Sequence, residues 1–267
     1  YKRESLFTMC DNFKEVLGFS GFPQGHVHEV YGPSDCGKTT MLLELAVGAQ
    51  KMGILPVFVI TEKKWSWDRA DAMGIDRNFC LFRDDLDFIE EACDYINVVL
   101  DDQKNGDLPH DIIFLWDSIG ATPSKAEFEA QEEHQKEVKK VTEAGGDTKD
   151  VEKKTGGMMV AARVIRERIQ RVIQHKITAT RNVKFPYFST LFIVNHGYIS
   201  PSAMPGLPPS LTPYGGGGLK YALSFMIRQG KVNGLHKKHD AKKNGVNITW
   251  GLQVPLVLEK NHINGIV

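Results

Sequence analysis

Cysteine is scarce in this sequence: four cysteines are spread over 267 residues, and none forms a C-x-x-C pair. This spacing argues against a disulfide framework and against a cysteine zinc site, and it is typical of reduced thiols in an intracellular protein. The sequence also lacks any apolar run near the ~20 residues that a membrane-spanning helix needs. Its first five residues contain no hydrophobic signal segment. We therefore expect a cytoplasmic location and no membrane partner.

An excess of either charge sign is also missing. Lys plus Arg number 33 and Asp plus Glu number 33, so the formal net charge is zero. The net charge of zero gives no argument for nucleic-acid binding. Local clusters of cations can still bind nucleic acid in a neutral protein. The chain is 42% hydrophobic, which is enough for one sizeable α/β core. Because the sequence starts at Tyr1 and not at Met, we expect the core of a longer protein.

One short stretch carries a specific chemical signature. Residues 32–40 read Gly-Pro-Ser-Asp-Cys-Gly-Lys-Thr-Thr and fit the phosphate-binding pattern G-x-x-x-x-G-K-[ST]. The glycines let several N–H groups point at one anion, and the next helix adds its positive dipole end. A strand candidate precedes the loop at 26–31 and a helix-forming run follows at 41–47, as the motif requires. We therefore predict a nucleotide site.

The loop assigns two roles directly. Lys38 reaches the β- and γ-phosphates, and the hydroxyl of Thr39 ligates Mg²⁺. The predicted nucleotide-binding residues of the loop are Gly32, Pro33, Ser34, Asp35, Cys36, Gly37, Lys38, Thr39 and Thr40.

Hydrolysis would need two further carboxylates. Asp117 follows the apolar run 112–116 and fits a second magnesium ligand, with a helix cap as the alternative. Glu62 lies two residues past the strand candidate 55–60, at the sheet edge where ligands bind in open α/β folds. Its position alone is consistent with two interpretations of Glu62: a group that activates water, or an exposed glutamate beside two lysines.

Apolar runs alternate with helical segments along the chain. The unbroken runs 112–116 and 191–194 suit strands buried on both faces of a mostly parallel sheet, and 86–100 has helical spacing. We therefore predict an α/β fold built from βαβ units. Residues 127–154 are rich in Glu, Lys and Gln and predict a solvated helical hairpin or a mobile loop. Residues 198–218 hold five prolines and four consecutive glycines and predict a long irregular loop.

Taken together, these segments resemble the RecA family of DNA strand-exchange recombinases, and in particular its divergent bacterial and phage members. The resemblance is carried in order by residues 25–42, 60–62 with 73–76, 117–127, 158–163, 192–196 and 215–221. It covers about 13–267 and leaves 1–12 as a linker or remnant. It implies a RecA-like P-loop core with a mostly parallel central sheet flanked by helices and with C-terminal antiparallel strands. Loop 1 is expected at about 127–158 and loop 2 at about 197–216.

The resemblance also implies an activity. We expect a DNA-dependent ATPase that uses ATP and Mg²⁺ and assembles into a helical filament on single-stranded DNA. It would promote pairing and strand exchange with homologous duplex DNA at the nucleoid of a bacterium. Either the bacterium or a phage that infects it would encode the protein. Rival interpretations are a RecA-fold hexameric helicase or motor, a non-catalytic ATP-binding recombination mediator, and a signalling ATPase without a DNA role.

Site roles follow from the same resemblance. Glu62 becomes the catalytic base beside Lys38, and Asn195 and His196, which otherwise form a polar strand end, become γ-phosphate sensors. Trp67 and Arg69 lie where the family contacts adenine, and Lys260 matches a residue that reaches a neighbour's ATP in trans. His196 replaces the usual glutamine, and His262 stands where a second trans lysine is expected. The DNA-binding residues implied are Met158, Arg163, Arg166, Arg168, Ile199, Gly215 and Gly216. Without the resemblance, these arginines would be interpreted as a solvated helix side.

Overall fold

The computed structural model describes residues 21–143, 157–200, 209–231, 237–243 and 245–263. The expected boundary between 1–12 and the core lies outside these ranges. The strands are β1 (Val27–Gly32), β2 (Leu55–Ile60), β3 (Leu81–Arg83), β4 (Ile112–Asp117), β5 (Ser189–Ser200), β6 (Ser210–Pro213), β7 (Phe225–Gln229), β8 (Lys237–Lys243), β9 (Val246–Gln253) and β10 (Leu256–Asn261). The helices are α1 (Lys38–Lys51), α2 (Trp67–Met73), α3 (Ile89–Asn105), α4 (Lys125–Glu143), α5 (Gly157–Ile165), a π-helical segment (Arg166–Ile173), α6 (Gln174–Ala179) and α7 (Gly216–Ala222), with 3₁₀ turns at Arg77–Phe79 and Ile119–Ala121.

The main sheet has the strand order β10-β7-β1-β5-β4-β2-β3. All pairs from β7 to β3 are parallel, whereas β10 runs antiparallel to β7. Strand β6 pairs antiparallel with the last four residues of β5, and β8 with β9 forms a separate hairpin. The predicted fold class is therefore confirmed: a mostly parallel sheet is flanked by helices and ends in antiparallel strands.

Both faces of the sheet are covered, which explains the unbroken apolar runs. In β2, Val57 and Val59 pack into the core formed with α3, α5, α6 and α7. Phe58 and Ile60 of the same strand pack into the opposite core, with α1 and α2. Because side chains alternate along a strand, a strand between two helical layers needs an apolar residue at every position.

The continuous helix made of α5, the π-helical segment and α6 keeps one row of side chains in the core by changing its number of residues per turn. Ala161, Ile165, Ile169, Ile173 and Ile177 are spaced four residues apart, and each is 0% exposed. An α-helix has 3.6 residues per turn, so a strict four-residue repeat would drift off the core face. The i→i+5 hydrogen bonds of the π-helical segment underwind the backbone and return the row to the core.

Two segments that interrupt the sequence pattern contain regular structure. The acid- and lysine-rich stretch is helical through Glu143, in agreement with the helical alternative, and residues 144–156 lie outside the described ranges. The expected irregular loop 2 is partly wrong, because β5 continues to Ser200 and Ile199 lies opposite Leu211 of β6. Strand-favouring side chains and the antiparallel pairing extend the sheet here. Among the described residues, no helix is long and apolar enough to cross a membrane.

Candidate nucleotide-binding site

The glycine loop joins β1 to α1 through a backbone that few residues tolerate. Gly37 caps α1 with φ +88°, and Asp35 has φ +57°, so both lie in the left-handed region. A Cβ on Gly32 would lie 2.0 Å from the carbonyl oxygen of Gln229 at the end of β7. The side chain of Gln229 in turn donates to the carbonyl of Cys36 at 2.7 Å. Strand β7 therefore supports the loop from beside it.

A cavity of about 510 Å³ opens at the carboxyl ends of the parallel strands. This is where ligands bind in open α/β sheets. Its lining residues are Ser34, Asp35, Cys36, Gly37, Lys38, Thr39, Thr40, Ile60, Glu62, Lys64, Trp65, Arg69, Asp117, His196 and Leu252. The structure thus brings most of the predicted loop together with both predicted carboxylates.

The ammonium of Lys38 turns back into its own loop. It donates to the carbonyl oxygens of Gly32 at 3.1 Å and Pro33 at 2.6 Å. Lys38 is 6% exposed. A phosphate in the loop would offer this buried cation a stronger, charged acceptor than the two carbonyls. The loop therefore already holds its lysine where an anion is expected.

Asp117 and Thr39 form the candidate metal site. The Thr39 hydroxyl donates to Oδ2 of Asp117 at 2.7 Å. The other carboxylate oxygen, Oδ1, is buried and has no hydrogen-bond partner among the described residues. Burial raises the pKa of Asp117, and the Thr39 hydrogen bond opposes the shift. An orphan carboxylate oxygen beside a hydroxyl fits Mg²⁺, which takes one or two carboxylates together with phosphates and water.

Glu62 lies on the cavity wall between Lys64 and His196. Its Oε1 accepts from Lys64 Nζ at 3.0 Å, and its Oε2 lies 3.8 Å from Nε2 of His196. Burial, and then the charge of Lys38, lower the pKa of His196, so its ring is neutral near pH 7. Glu62 is a half-buried carboxylate that faces the cavity, which is the position a water-activating base requires.

Asn195 lies beneath the cavity and not on its wall. It is 0% exposed, and its amide nitrogen donates to Glu29 Oε1 at 2.6 Å and to the Tyr214 carbonyl at 2.8 Å. Its amide oxygen accepts from the backbone N–H of His196 at 2.8 Å. Gly120 is required below it, since a Cβ there would lie 2.7 Å from that oxygen. Of the predicted sensor pair, His196 faces the cavity and Asn195 positions it.

The two predicted adenine contacts separate in the structure. Arg69 lines the cavity, and its guanidinium donates to the hydroxyl of Thr40. Trp67 is absent from the cavity wall and packs under the guanidinium of Arg77, 4.7 Å from the ring centroid. Trp65 occupies the wall in its place. The expectation for Trp67 is therefore corrected: the turn into α2 directs it into an aromatic cluster beside the cavity.

Lys260 points into its own chain. It is 8% exposed, and its ammonium donates to the carbonyl of Lys220 in the last turn of α7. Burial, and then the charge of Lys220, lower the pKa of Lys260. A cation at a helix carboxyl end is electrostatically favoured. The trans contact expected of Lys260 would require it to leave this carbonyl.

The predicted DNA-binding residues other than the two glycines fall into three groups. Arg163, Arg166 and Ile199 are exposed. Ile199, 58% exposed, lies on the β5–β6 arm, in which residues 197–200 pair with residues 210–213. Arg168 forms a salt bridge, since its Nη1 lies 2.6 Å from Oδ1 of Asp94 on α3. Met158 lies within α5, but its side chain is outside the described part of the structure.

The consecutive glycines are explained by close packing of α7 on α5. Gly215 has φ +92° and is buried, and a Cβ there would lie 2.9 Å from Cδ1 of Ile165. A Cβ on Gly218 would lie 3.0 Å from the Cβ of Arg166. Gly216 is exposed and can still offer its backbone N–H. The end of the expected loop 2 therefore lies against the helix that follows the expected loop 1.

A parallel strand, a glycine loop, a helix and a strand-end carboxylate together define a P-loop nucleotide-binding protein. Comparison with protein families matches residues 4–194 to the RecA N-terminal domain, and the chain belongs to the RecA family. It is 27% identical over 182 residues to Protein RecA of Mesoplasma florum, which covers 67% of this chain and 53% of that protein. It is 33% identical over 128 residues to Protein RecA of Nitratiruptor sp., covering 48% of this chain and 35% of that protein.

A third relative, Protein RecA of Corynebacterium diphtheriae, is 36% identical over 116 residues, which are 43% of this chain and 29% of that protein. The chain thus matches about half, or less, of the length of these curated relatives.

Several site residues carried no sequence signal of their own. Trp65, Lys64 and Leu252 line the cavity, and Glu29 and Gln229 support it from the neighbouring strands. Glu29 lies in the strand candidate 26–31, and nothing in the sequence indicates its partner. Leu252 comes from the β8–β9 hairpin, far away in sequence, and only the fold brings it to the loop.

Proposed function

We propose that this chain is a recombinase: an ATP hydrolase that assembles as a helical filament on single-stranded DNA and exchanges strands with a homologous duplex. The observation that carries the proposal is the course of β5. This strand passes from His196 on the cavity wall to the exposed Ile199 on the arm. One strand therefore links the candidate hydrolytic site to a surface that the family resemblance assigns to DNA.

The chemistry follows from the residues on the cavity wall. The loop N–H groups and Lys38 would bind the phosphates of ATP, and Thr39 with Asp117 would hold the magnesium ion. That ion would neutralise charge on the phosphates. Glu62 would orient and deprotonate the attacking water, with Lys64 fixing one oxygen of its carboxylate. His196, neutral and close to Glu62, would respond to the terminal phosphate.

The decisive experiment measures ATP turnover with and without single-stranded DNA and images particles from the same sample. We expect DNA to raise turnover severalfold and to produce linear helical filaments. Closed rings would favour a hexameric motor instead. Turnover that does not change when DNA is added would favour an ATPase without a DNA role. DNA binding without ATP turnover would favour a non-catalytic recombination mediator.

The exposed arginines give a prediction about salt. Arg163→Ala and Arg166→Ala should each weaken binding to single-stranded DNA because each removes a phosphate contact. The slope of log affinity against log salt should become shallower by about 0.7 per lost contact. Titrations with a labelled oligonucleotide at several salt concentrations measure both quantities.

Arg168→Ala is the matched control for this measurement. It removes the same charge from the same helix, but Arg168 is engaged by Asp94. We expect its salt slope to stay near that of the parent chain. Equal losses in all three variants would mean that the ion pair with Asp94 does not set Arg168 apart, and that the three arginines act alike on DNA.

A further inference from the structure

Tyr214 touches two functional segments at once. Its backbone N–H donates to the carbonyl of His196 at 3.1 Å, and its carbonyl accepts from the Asn195 amide at 2.8 Å. Its hydroxyl lies 3.4 Å from Oε2 of Glu127, in the first turn of α4. The backbone of Tyr214 is therefore attached to the cavity strand β5, and its side chain is attached to the helix that leads into residues 144–156.

The surroundings make this connection stiff. Glu29, 1% exposed, holds the Asn195 amide at 2.6 Å, so Asn195 cannot shift without breaking a buried hydrogen bond. The ring of Tyr214 packs against the apolar core beneath it. Burial, and then Glu127, raise the pKa of Tyr214 to about 12, so its hydroxyl remains a hydrogen-bond donor at neutral pH.

We propose that Tyr214 is a positioning residue that couples the nucleotide cavity to α4. A displacement of His196 on nucleotide binding moves the Tyr214 backbone through the hydrogen bond between the Tyr214 N–H and the His196 carbonyl, and the hydroxyl passes this movement to Glu127. The β5–β6 arm and α4 then respond to nucleotide as one unit. That these segments meet DNA rests on the proposed function, whereas the coupling itself does not.

The test uses Tyr214→Phe, which removes the hydroxyl and keeps the ring and the backbone contacts. The first readout needs no DNA: amide hydrogen exchange of α4 with and without a non-hydrolysable ATP analogue. The second is the ratio of ATP turnover with and without single-stranded DNA. Tyr198→Phe, an exposed tyrosine on the same arm, is the matched control.

In the parent chain and in Tyr198→Phe, we expect the analogue to change exchange in the first turns of α4. In Tyr214→Phe this change should disappear, while turnover without DNA stays at the parent level. Stimulation by DNA should fall roughly fivefold to tenfold, since one hydrogen bond is lost that is long, at 3.4 Å. Glu127→Ala should reproduce these losses, and the double variant should be no worse than either single one. Glu127→Gln, which keeps an acceptor, should restore most of the coupling.

Three outcomes decide the proposal. If Tyr214→Phe keeps the nucleotide response of α4, or if the parent chain shows none, the coupling is overturned. Additive losses in the double variant would also overturn it, because the two residues would then act independently. If the parent chain shows the α4 response and Tyr214→Phe loses it, but DNA never changes turnover, the coupling stands and the recombinase function fails.

Discussion

Glu62→Gln is expected to lower the turnover number for ATP by about 10²- to 10⁴-fold, the usual contribution of a positioned general base. The glutamine side chain has the same shape, and its amide oxygen can still accept from Lys64, which lies 3.0 Å from the carboxylate. It cannot take a proton from water. The affinity for ATP should change little, because the predicted phosphate contacts come from the glycine loop and not from Glu62. Steady-state turnover and binding of a fluorescent ATP analogue separate the two effects.

Glu44→Gln is the matched control for this result. It makes the same substitution on α1, at a glutamate that is absent from the cavity wall. Turnover in this variant should remain near the parent value. Parent-like turnover in Glu62→Gln would remove Glu62 from the role of base. A parallel loss of binding and turnover would instead indicate that the cavity had changed shape.

The parts of the site that could be predicted from the sequence are those with a local signature. The glycine loop needs left-handed backbone and a Lys-Thr pair within nine residues, so residues 32–40 can be recognised without the fold. Strands β2 and β4 can be recognised in the sequence because both of their faces are buried. Each is therefore an unbroken apolar run, which a surface helix with alternating polar positions does not show. Asp117 was then placed by the end of its strand.

The parts that could not be predicted depend on direction or on distant partners. Trp65 and Trp67 are two residues apart, and only the turn into α2 decides which of them faces the cavity. Lys260 matches its expected position in sequence, yet the carbonyl of Lys220, 40 residues away, holds it inside the chain. The consecutive glycines predicted part of a long irregular loop. In the structure they permit α7 to approach α5 within van der Waals distance.

The role of Glu29 in supporting the site could not be predicted from the sequence either. Glu29 is an acid in a strand that the fold buries along its whole length, and such conflicts often mark functional or strained positions. The sequence shows the acid but neither its burial nor its partner. The partner is Asn195, 166 residues away, which the parallel pairing of β1 with β5 brings to hydrogen-bond distance.

Glu29 should make the stability of the fold depend on pH. Burial raises its pKa from 4.5 to about 7; the charge of Glu259 adds to the shift, and the hydrogen bond from Asn195 opposes it. Between these values the folded chain holds a proton that the unfolded chain has released. The free energy of unfolding therefore falls as pH rises from about 4.5 to 7 and stays lower above that.

Glu29→Gln cannot ionise, so it should lack this fall. Relative to the variant, the parent chain should lose roughly 2–3 kcal/mol of unfolding free energy between pH 5 and pH 8. His28, whose burial lowers its pKa to about 4, destabilises both proteins as pH falls through 6.5 and cancels in the comparison. Urea denaturation followed by circular dichroism at each pH gives the difference, and the exposed Glu129→Gln should follow the parent chain. Parallel pH curves for Glu29→Gln and the parent chain would mean that Glu29 ionises in the folded chain as it does in water, and that its contact with Asn195 is made by a charged carboxylate throughout.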